Sequence, residues 1–424
     1  MKPLRKVAII GGVRIPFVKS FKEYSRVSNQ EMLTATVQAT TSRFKLNGKL
    51  VGDVALGAIL TFPSDWNLAR EVVLGTDLDP RTPGFNVQRA CGTSLETVNL
   101  LALKIAAGQI ESGIAGGSDT NSDLPVVGPK QLGWKLIDIQ NAKSFGDRLG
   151  KFLKIRPGDL KPVIPGIREP RTGKTMGEHT EIMVKQWKIS REAQDELAYK
   201  SHMNAAKAYQ EGFYDDMLTE FKGVKRDTIV RADTTMEKLS KLRTAFDKTP
   251  AGTLTAGNST IFTDGAASIL LASEDFATKN NLEVQAYFVD SEAAAVDHVH
   301  GAGLLMAPTL AVARLLQRNN LSLQDFDFYE IHEAFAGQVL CTLKAWESDD
   351  YCRKDLGLDK ALGSIDRSKL NVKGGSVAIG HPFGATGTRV TMSMAKLLSQ
   401  KGKGRGLLSV CTAGGMGVAA IIER

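Results

Sequence analysis

Two cysteines and a histidine sit in glycine-flanked neighbourhoods that leave their side chains accessible to chemistry. Cys91 lies in Gln88-Arg-Ala-Cys-Gly-Thr-Ser94, and Cys411 opens Cys411-Thr-Ala-Gly-Gly-Met-Gly417. His381 lies in Gly375–Gly387, with four glycines around it and Pro382 directly after it. Gly and Pro both penalise element interiors, so this stretch reads as a rigid loop presenting an imidazole. A helical pattern starts at Thr386, with Val390, Met394 and Leu397 or Leu398 on one face, which places His381 just upstream of a helix N-terminus.

Cys91 also directly precedes a helical pattern: Leu95, Val98, Leu101 or Ala102, and Ile105. The positive end of a helix dipole lowers a thiol pKa, and the thiolate is the nucleophile. A nearby imidazole would complete its activation. Ala413-Gly414-Gly415 offers backbone N–H groups beside Cys411, suited to an oxyanion hole. Taken singly, each residue also has an inert reading. Cys91 can be a small buried hydrophobe, His381 a satisfied loop histidine and Cys411 a strand-end core residue. His332-Glu333 can be a surface pair at a strand–helix junction, and it lacks zinc-protease spacing, so no metal site is expected.

The elements that must hold these residues follow an α/β rhythm. Strands are expected at Lys6–Gly11, Val54–Thr61, Phe85–Gln88 and Gly113–Gly117, with a capping box at Ser28–Glu31 opening a helix to about Phe44. Trp66–Leu74 reads as a short helix. The rhythm breaks between about residues 122 and 256, where Lys143–Lys174 carries nine Lys/Arg, three Asp/Glu and four prolines. Ile189–Gly212 there is an amphipathic helix. The rhythm then resumes. Strands are expected at Ala266–Ala272, Glu283–Ser291, Phe326–His332, Leu370–Val372 and Gly406–Val410. Helices are expected at Thr309–Asn319 and Ala334–Trp346. Each end places a reactive-type residue before a helix, then a strand, then Gly-Gly, a loose internal repeat.

With 424 residues, two or three domains are expected, and 42% apolar and 24% charged residues suit a globular protein. No apolar run reaches the length of a membrane span, and the N-terminus runs straight into a strand pattern. Four cysteines without paired spacing suit a reducing compartment. Cys341 and Cys352 read as structural. The net charge of +8 suits an anionic partner. Nucleic-acid motifs and aromatic–basic interleaving are absent.

Together the motifs resemble the thiolase family. They are Asn86-Val-Gln-Arg-Ala-Cys-Gly92, Gly257-Asn-Ser-Thr260 with Asp264-Gly-Ala-Ala267, His332-Glu-Ala-Phe335, Gly380-His-Pro-Phe-Gly-Ala-Thr-Gly387 and Cys411–Gly417, in order and spanning the chain. The resemblance implies a duplicated α-β-α-β-α layered core. Residues 1–122 and 257–282 would form the N-terminal half, 123–256 an inserted loop domain, and 283–424 the C-terminal half. It implies cleavage of a 3-ketoacyl-CoA by CoA through a Cys91 thioester, in a cytoplasmic, bacterial-type enzyme of β-oxidation. His381 would be the base and Cys411 the second acid/base. His381 with a water on His332 would form one oxyanion site, and the N–H groups of Cys91 and Ala413 the other. Met176, Thr260 and Phe335 would bind substrate, and Arg231 and Lys241–Arg243 the nucleotide end of CoA. No cofactor beyond CoA as substrate is implied.

Two departures shape the subfamily. Many thiolases carry Asn where this chain has His332, and the His variant resembles β-subunits of fatty-acid oxidation complexes. Thr175-Met176-Gly177 lacks the His that precedes Met-Gly in many short-chain enzymes, which speaks against a biosynthetic acetyl-CoA C-acetyltransferase. A decarboxylating β-ketoacyl synthase would not need Cys411, and a non-catalytic acyl-CoA-binding relative would usually have lost a reactive residue. The resemblance implies a homodimer or dimer of dimers. Ala142, Phe145, Leu149, Phe152 and Leu153 interleave with Lys143, Arg148, Lys151 and Lys154 at helical spacing. That basic amphipathic segment suits an anionic membrane or a hydratase/dehydrogenase subunit; the alternative is packing on its own core.

Overall fold

The computed structural model describes residues 4–424, so residues 1–3 of the expected N-terminal half lie outside it. The first part of the chain runs β1 (Val7–Arg14), β2 (Val18–Lys19), α1 (Asn29–Arg43), β3 (Asp53–Leu56), α2 (Leu68–Leu74), β4 (Gly84–Asn86), α3 (Thr93–Ala106) and β5 (Ser112–Asp119). A helical block follows: α4 (Lys130–Gln140), α5 (Phe145–Phe152), α6 (Met176–Gln186), α7 (Arg191–Gln210) and α8 (Met236–Ser240). Then come β6 (Thr263–Ser273), α9 (Glu274–Lys279), β7 (Ala286–Ala295), α10 (Ala307–Asn319), β8 (Phe328–Ile331), α11 (Ala336–Trp346) and α12 (Asp349–Lys354). The chain closes with α13 (Ser376–Ile379), α14 (Thr386–Lys401), β9 (Arg405–Thr412) and β10 (Met416–Glu423).

The strands order as β4-β3-β5-β6-β1-β7-β10-β9-β8, with β2 on β6. The flanks β4-β3-β5 and β8-β9 are parallel, and every pairing between them is antiparallel. β6 is made after the helical block and returns between β5 and β1. The layers follow from which face each helix buries. Helices α1 and α2 cover one outer face through Met32, Leu33, Val37, Leu68 and Val72, and α10 and α11 cover the other through Val312, Leu316, Val339 and Leu343. Between the two sheet halves lie α3 and α14, whose Leu95, Val98, Ile105, Val390 and Met394 are fully buried. Each such side chain contributes about 1.5–3 kcal/mol of burial. The helices are set by local signals. Ser28 and Glu31 exchange capping bonds of 3.2 and 3.0 Å at the start of α1.

α3 and α14 cross at backbone distance. A Cβ built on Gly387 would sit 2.1 Å from the amide nitrogen of Leu95, so only glycine fits. Nearby, the Thr388 N–H donates to Ser94 Oγ at 2.8 Å.

Several expectations are corrected. β3 stops at Leu56 because the N–H groups of Ile59 and Leu60 turn to the Asp119 carboxylate, at 2.9 Å each. Leu370–Val372 is not a strand. The Asn371 side chain, at φ +46°, takes the Ile331 backbone bonds a neighbouring strand would have made. The glycine loop before His381 contains one helical turn, α13. The helix expected over 142–153 is present as α5, opened by Ser144, and a separate helix, α4, precedes it. Packing of that segment on its own core is also wrong, because no residue of α4 or α5 is buried. No helix among the described residues is long and apolar enough to cross a membrane.

Gly387→Ala is expected to lower the urea midpoint at unchanged m-value, by about 1–3 kcal/mol or more. Gly133→Ala is the control. That site in α4 meets nothing within 4 Å, so it should gain up to about 1 kcal/mol. Equal stability of the two variants would remove the steric argument.

Candidate active site

Cys91 lies on the turn between β4 and α3. The turn is held by Arg89 N–H to Thr93 Oγ1 at 2.9 Å and Thr93 Oγ1 to the Ala90 carbonyl at 2.7 Å. Ala90 takes φ +44°, a left-handed conformation that costs a non-glycine residue free energy and is retained here beside the thiol. Gly92 seats this turn against Val418 of β10 and Thr412 of β9, which brings Cys91 to the strand end carrying Cys411. Burial pushes the Cys91 thiol up to about 12, and the Asp119 and Glu169 charges add to this. The N–H groups of Ala413 and of Cys91 itself, both directed at the sulfur, act the other way. The expected lowering by the helix dipole is therefore overridden: desolvation outweighs it, and the sulfur keeps its proton.

Cys411 is the penultimate residue of β9 and is 1% exposed. Burial raises its pKa well above the ordinary value, and the Cys91 charge raises it further, so the two sulfurs share one low-dielectric space. Backbone N–H groups of Ala334 and of Cys411 itself favour its thiolate. Past it the turn reverses at Gly414 (φ +74°), whose N–H donates to Glu169 Oε1 at 3.0 Å. A loop of the helical block is thereby tied to the turn that presents the Ala413 N–H.

His381 is 3% exposed, and its ring lies 4.1 Å centroid to centroid from that of His332, which is 1% exposed. Its backbone N–H donates to Thr263 Oγ1 at 2.8 Å, and Nδ1 is 2.6 Å from Thr386 Oγ1. The following Gly384 N–H is held by Asp119 at 2.7 Å. Burial first, then the Arg389 charge, holds His381 down to about 3. Burial, the His381 charge and Arg389 keep His332 well below its ordinary value. Both imidazoles are neutral.

Glu333 is not a surface residue either; it is 1% exposed. Its carboxylate accepts from Ser201 Oγ at 2.7 Å, Asn371 Nδ2 at 2.7 Å and the Val377 N–H at 3.1 Å. A Cβ on Gly375 would sit 2.1 Å from its Cδ. Glu333 therefore clamps the start of the His381 loop and takes no open position.

Of the substrate-binding candidates, Phe335 and Cys411 share one apolar cluster, and Met176 packs against it. Thr260 bonds the Ala334 carbonyl through its N–H at 3.1 Å and its hydroxyl at 3.0 Å. Arg231, Lys241 and Arg243 lie exposed on the helical block. Sequence reasoning missed Asp119, Glu169, Thr263, Ser376, Thr386 and Arg389. Asp119 has burial pushing it up to about 7 while three backbone N–H groups oppose that. Only Thr386, in the His381 motif itself, carried a local signal.

The neutral imidazoles set a pH dependence of stability. On unfolding His381 regains its ordinary 6.5, so between that value and about 3 the unfolded chain binds a proton the native chain does not. Stability therefore falls as pH is lowered through that window. Cys91 acts oppositely, costing stability as pH rises from 9.0 towards 12. Between neutral and about pH 5 the wild-type Tm is expected to fall further than that of His381→Asn; parallel losses would contradict this.

Comparison with known proteins matches these features. A family model described as "Thiolase, N-terminal domain" matches residues 7–275, and "Thiolase, C-terminal domain" matches 282–424. The chain is 38% identical to a 3-ketoacyl-CoA thiolase of Yersinia enterocolitica and 39% identical to one of Shewanella baltica. Each alignment covers 99% of this chain and 97% of the relative. Among solved structures it superposes on the Bacillus anthracis acetyl-CoA acetyltransferase with TM-score 0.82 at 30% identity, covering all of both chains. Human mitochondrial 3-ketoacyl-CoA thiolase in complex with CoA matches at TM-score 0.81 and 27% identity, covering 99% of this chain and 98% of that one. The two-cysteine, two-histidine site thus sits in a layered fold matched end to end by both family models: the chain belongs to the thiolase family.

Proposed function

We propose that this thiolase cleaves 3-ketoacyl-CoA with CoA to acyl-CoA and acetyl-CoA, in the degradative direction of fatty-acid β-oxidation. The observation that carries this reading is a pair of buried, protonated thiols, Cys91 with the Ala413 N–H directed at it and Cys411 within reach of its charge, together with the neutral imidazoles of His332 after β8 and His381 before α14, tilted against each other at 4.1 Å. Cys91 adds to the 3-keto carbon as its proton passes to His381. The C2–C3 bond then breaks, its electron pair forming the acetyl-CoA enolate, and the Cys411 S–H protonates C2. The sulfur of free CoA attacks the Cys91 thioester as its proton passes to the Cys411 thiolate, and the proton held on His381 returns to the departing Cys91 sulfur, so both thiols and the neutral imidazole are restored. The charge on the thioester oxygen of acetyl-CoA rests on His381 with a water on His332, and that on the acyl oxygen on the N–H groups of Cys91 and Ala413. Because Cys91 rests as a thiol, deprotonation and attack are coupled, and free thiolate is not accumulated.

His332 and the absence of His before Met176-Gly177 favour degradation, as do the names of the Yersinia and Shewanella relatives. The likeness to the Bacillus anthracis acetyl-CoA acetyltransferase supports a second reading, acetyl-CoA C-acetyltransferase activity. A chain-length series of kcat/KM separates them. Arg231 and Lys241–Arg243 are assigned to the CoA phosphates, and Met176, Thr260 and Phe335 to the acyl end. The unpaired edge of β4 lies beside an apolar groove of about 500 Å³ lined by Leu4, Phe85, Leu100 and Leu103. That edge suits a second copy, giving a homodimer. Four free thiols suit the cytoplasm.

α4 and α5 expose Trp134 (62%), Phe145 (82%) and Phe152 (58%) among lysines and arginines. A face this apolar marks an interaction surface, and a hydratase/dehydrogenase subunit or an anionic membrane fits its chemistry.

Cys91→Ala is expected to abolish turnover and the acetyl adduct seen by mass spectrometry after mixing with acetyl-CoA. Cys411→Ala should keep the adduct and lose carbon–carbon cleavage; cleavage at the wild-type rate would overturn its role. Phe145→Glu with Phe152→Glu should weaken co-purification of the subunit or binding to anionic vesicles, and a folded double variant unchanged in both would remove that surface.

A further inference from the structure

His332 and His381 have opposite duties in the proposed reaction. His332 must donate from Nε2 towards a water or a substrate oxygen, and His381 must accept and return a proton at Nε2. Each ring holds a hydroxyl on Nδ1, so the hydroxyl's other partners decide the tautomer.

For His332 that partner is Ser376 Oγ at 2.8 Å. The same oxygen receives Arg389 Nη2 at 3.0 Å. A guanidinium only donates and does not lose its proton in proteins. His332 Nδ1 is the one acceptor that faces this fully buried hydroxyl among the described residues. Were Nδ1 protonated, two donors would meet on Ser376 Oγ and its own hydrogen would be left buried without an acceptor, which carries a desolvation penalty. The low-energy arrangement runs Arg389 N–H to Ser376 Oγ, and Ser376 O–H to His332 Nδ1. That leaves the proton on Nε2, a buried atom with no hydrogen-bond partner in the protein.

Arg389 is otherwise hard to account for. It is 2% exposed, its Nε and Nη1 find no hydrogen-bond partner, and Glu330 Oε2 stays 3.8 Å away. Burying a guanidinium so poorly satisfied is costly, and its single hydrogen bond goes to Ser376. Thr386 differs, since no cation reaches its hydroxyl and His381 is its only side-chain partner. It can turn to donate or accept as His381 gains and loses its proton. One imidazole is held as a fixed donor and the other is left free to shuttle.

We propose that Arg389 and Ser376 form a relay that locks His332 in its Nε2–H tautomer, making both positioning residues for the oxyanion donor. This rests on His332 facing the reacting oxygen, so the tautomer is read without activity. The full chain has six histidines, and a 15N-histidine NMR spectrum can be assigned by subtracting His332→Asn. His332 should show a protonated Nε2 in the wild type and a mixture in Ser376→Ala; a protonated Nδ1 in the wild type overturns the relay. The second arm is a double-mutant cycle. Ser376→Ala should lower kcat about 10- to 100-fold with His332 present. Because an Asn amide has no tautomer, the loss should shrink to about twofold or less in a His332→Asn background. Ser376→Thr, which keeps a hydroxyl, should restore most of the rate if Ser376→Ala folds poorly. An equal loss in both backgrounds would make Ser376 merely structural and overturn the relay. Undiminished turnover of His332→Ala would instead sink the oxyanion role itself while leaving the measured tautomer standing.

Discussion

The site depends on one contact without side-chain tolerance: the first turn of α14 lying on the first turn of α3, where Gly387 meets the Leu95 amide. Cys91 lies two residues before α3 and His381 five residues before α14, so this crossing sets the relative placement of the segments that carry the two candidate residues. The Ser94–Thr388 bond locks it. Helix packing normally keeps axes about 8–10 Å apart, set by the side chains between them. Removing those side chains lets two helix N-termini from opposite halves share one cavity.

Closing that cavity changes the acid–base state of everything inside it. The sulfurs rise and the imidazoles fall, all in the direction that burial dictates. Neutral thiols and neutral imidazoles store no ion pair in the resting protein. The N–H groups aimed at Cys91 and the Arg389 charge behind the histidines are already oriented in that state. Preorganised dipoles in a water-poor site are worth more than the same groups in solvent.

Buried carboxylates do the holding. Glu333 ties the His381 loop to α7 through Ser201, Asp119 ties Gly384 to the end of β3, and Glu169 ties Gly414 to the helical block. Each collects backbone N–H groups that loops would otherwise leave unsatisfied in the interior. Glu169 also gives the helical block a direct hold on the Ala413 turn, so the placement of that block and of the Ala413 N–H are linked through one hydrogen bond.

The local elements were legible in the chain: the Ser28–Glu31 capping box, the apolar stripes of α3 and α14, and the glycine-flanked positions of Cys91, His381 and Cys411. Those depend on neighbours a few residues apart, and short-range sterics and periodicity dictate them. The fold class was therefore available from the order of the motifs and the family they resemble, and the candidate residues could be named from the same motifs. The protonation states were not. The helix-dipole argument for Cys91 pointed the wrong way, because desolvation depends on what closes over the sulfur. Asp119, Glu169, Ser376 and Arg389 gave no local sign, since their roles come from partners such as Gly384 and Gly414 that lie 265 and 245 residues away in the chain. Sequence determined which groups could react and which elements carry them. Only the tertiary structure decided their charge, their tautomer and their mutual approach, because those are properties of a shared low-dielectric space that no single segment contains.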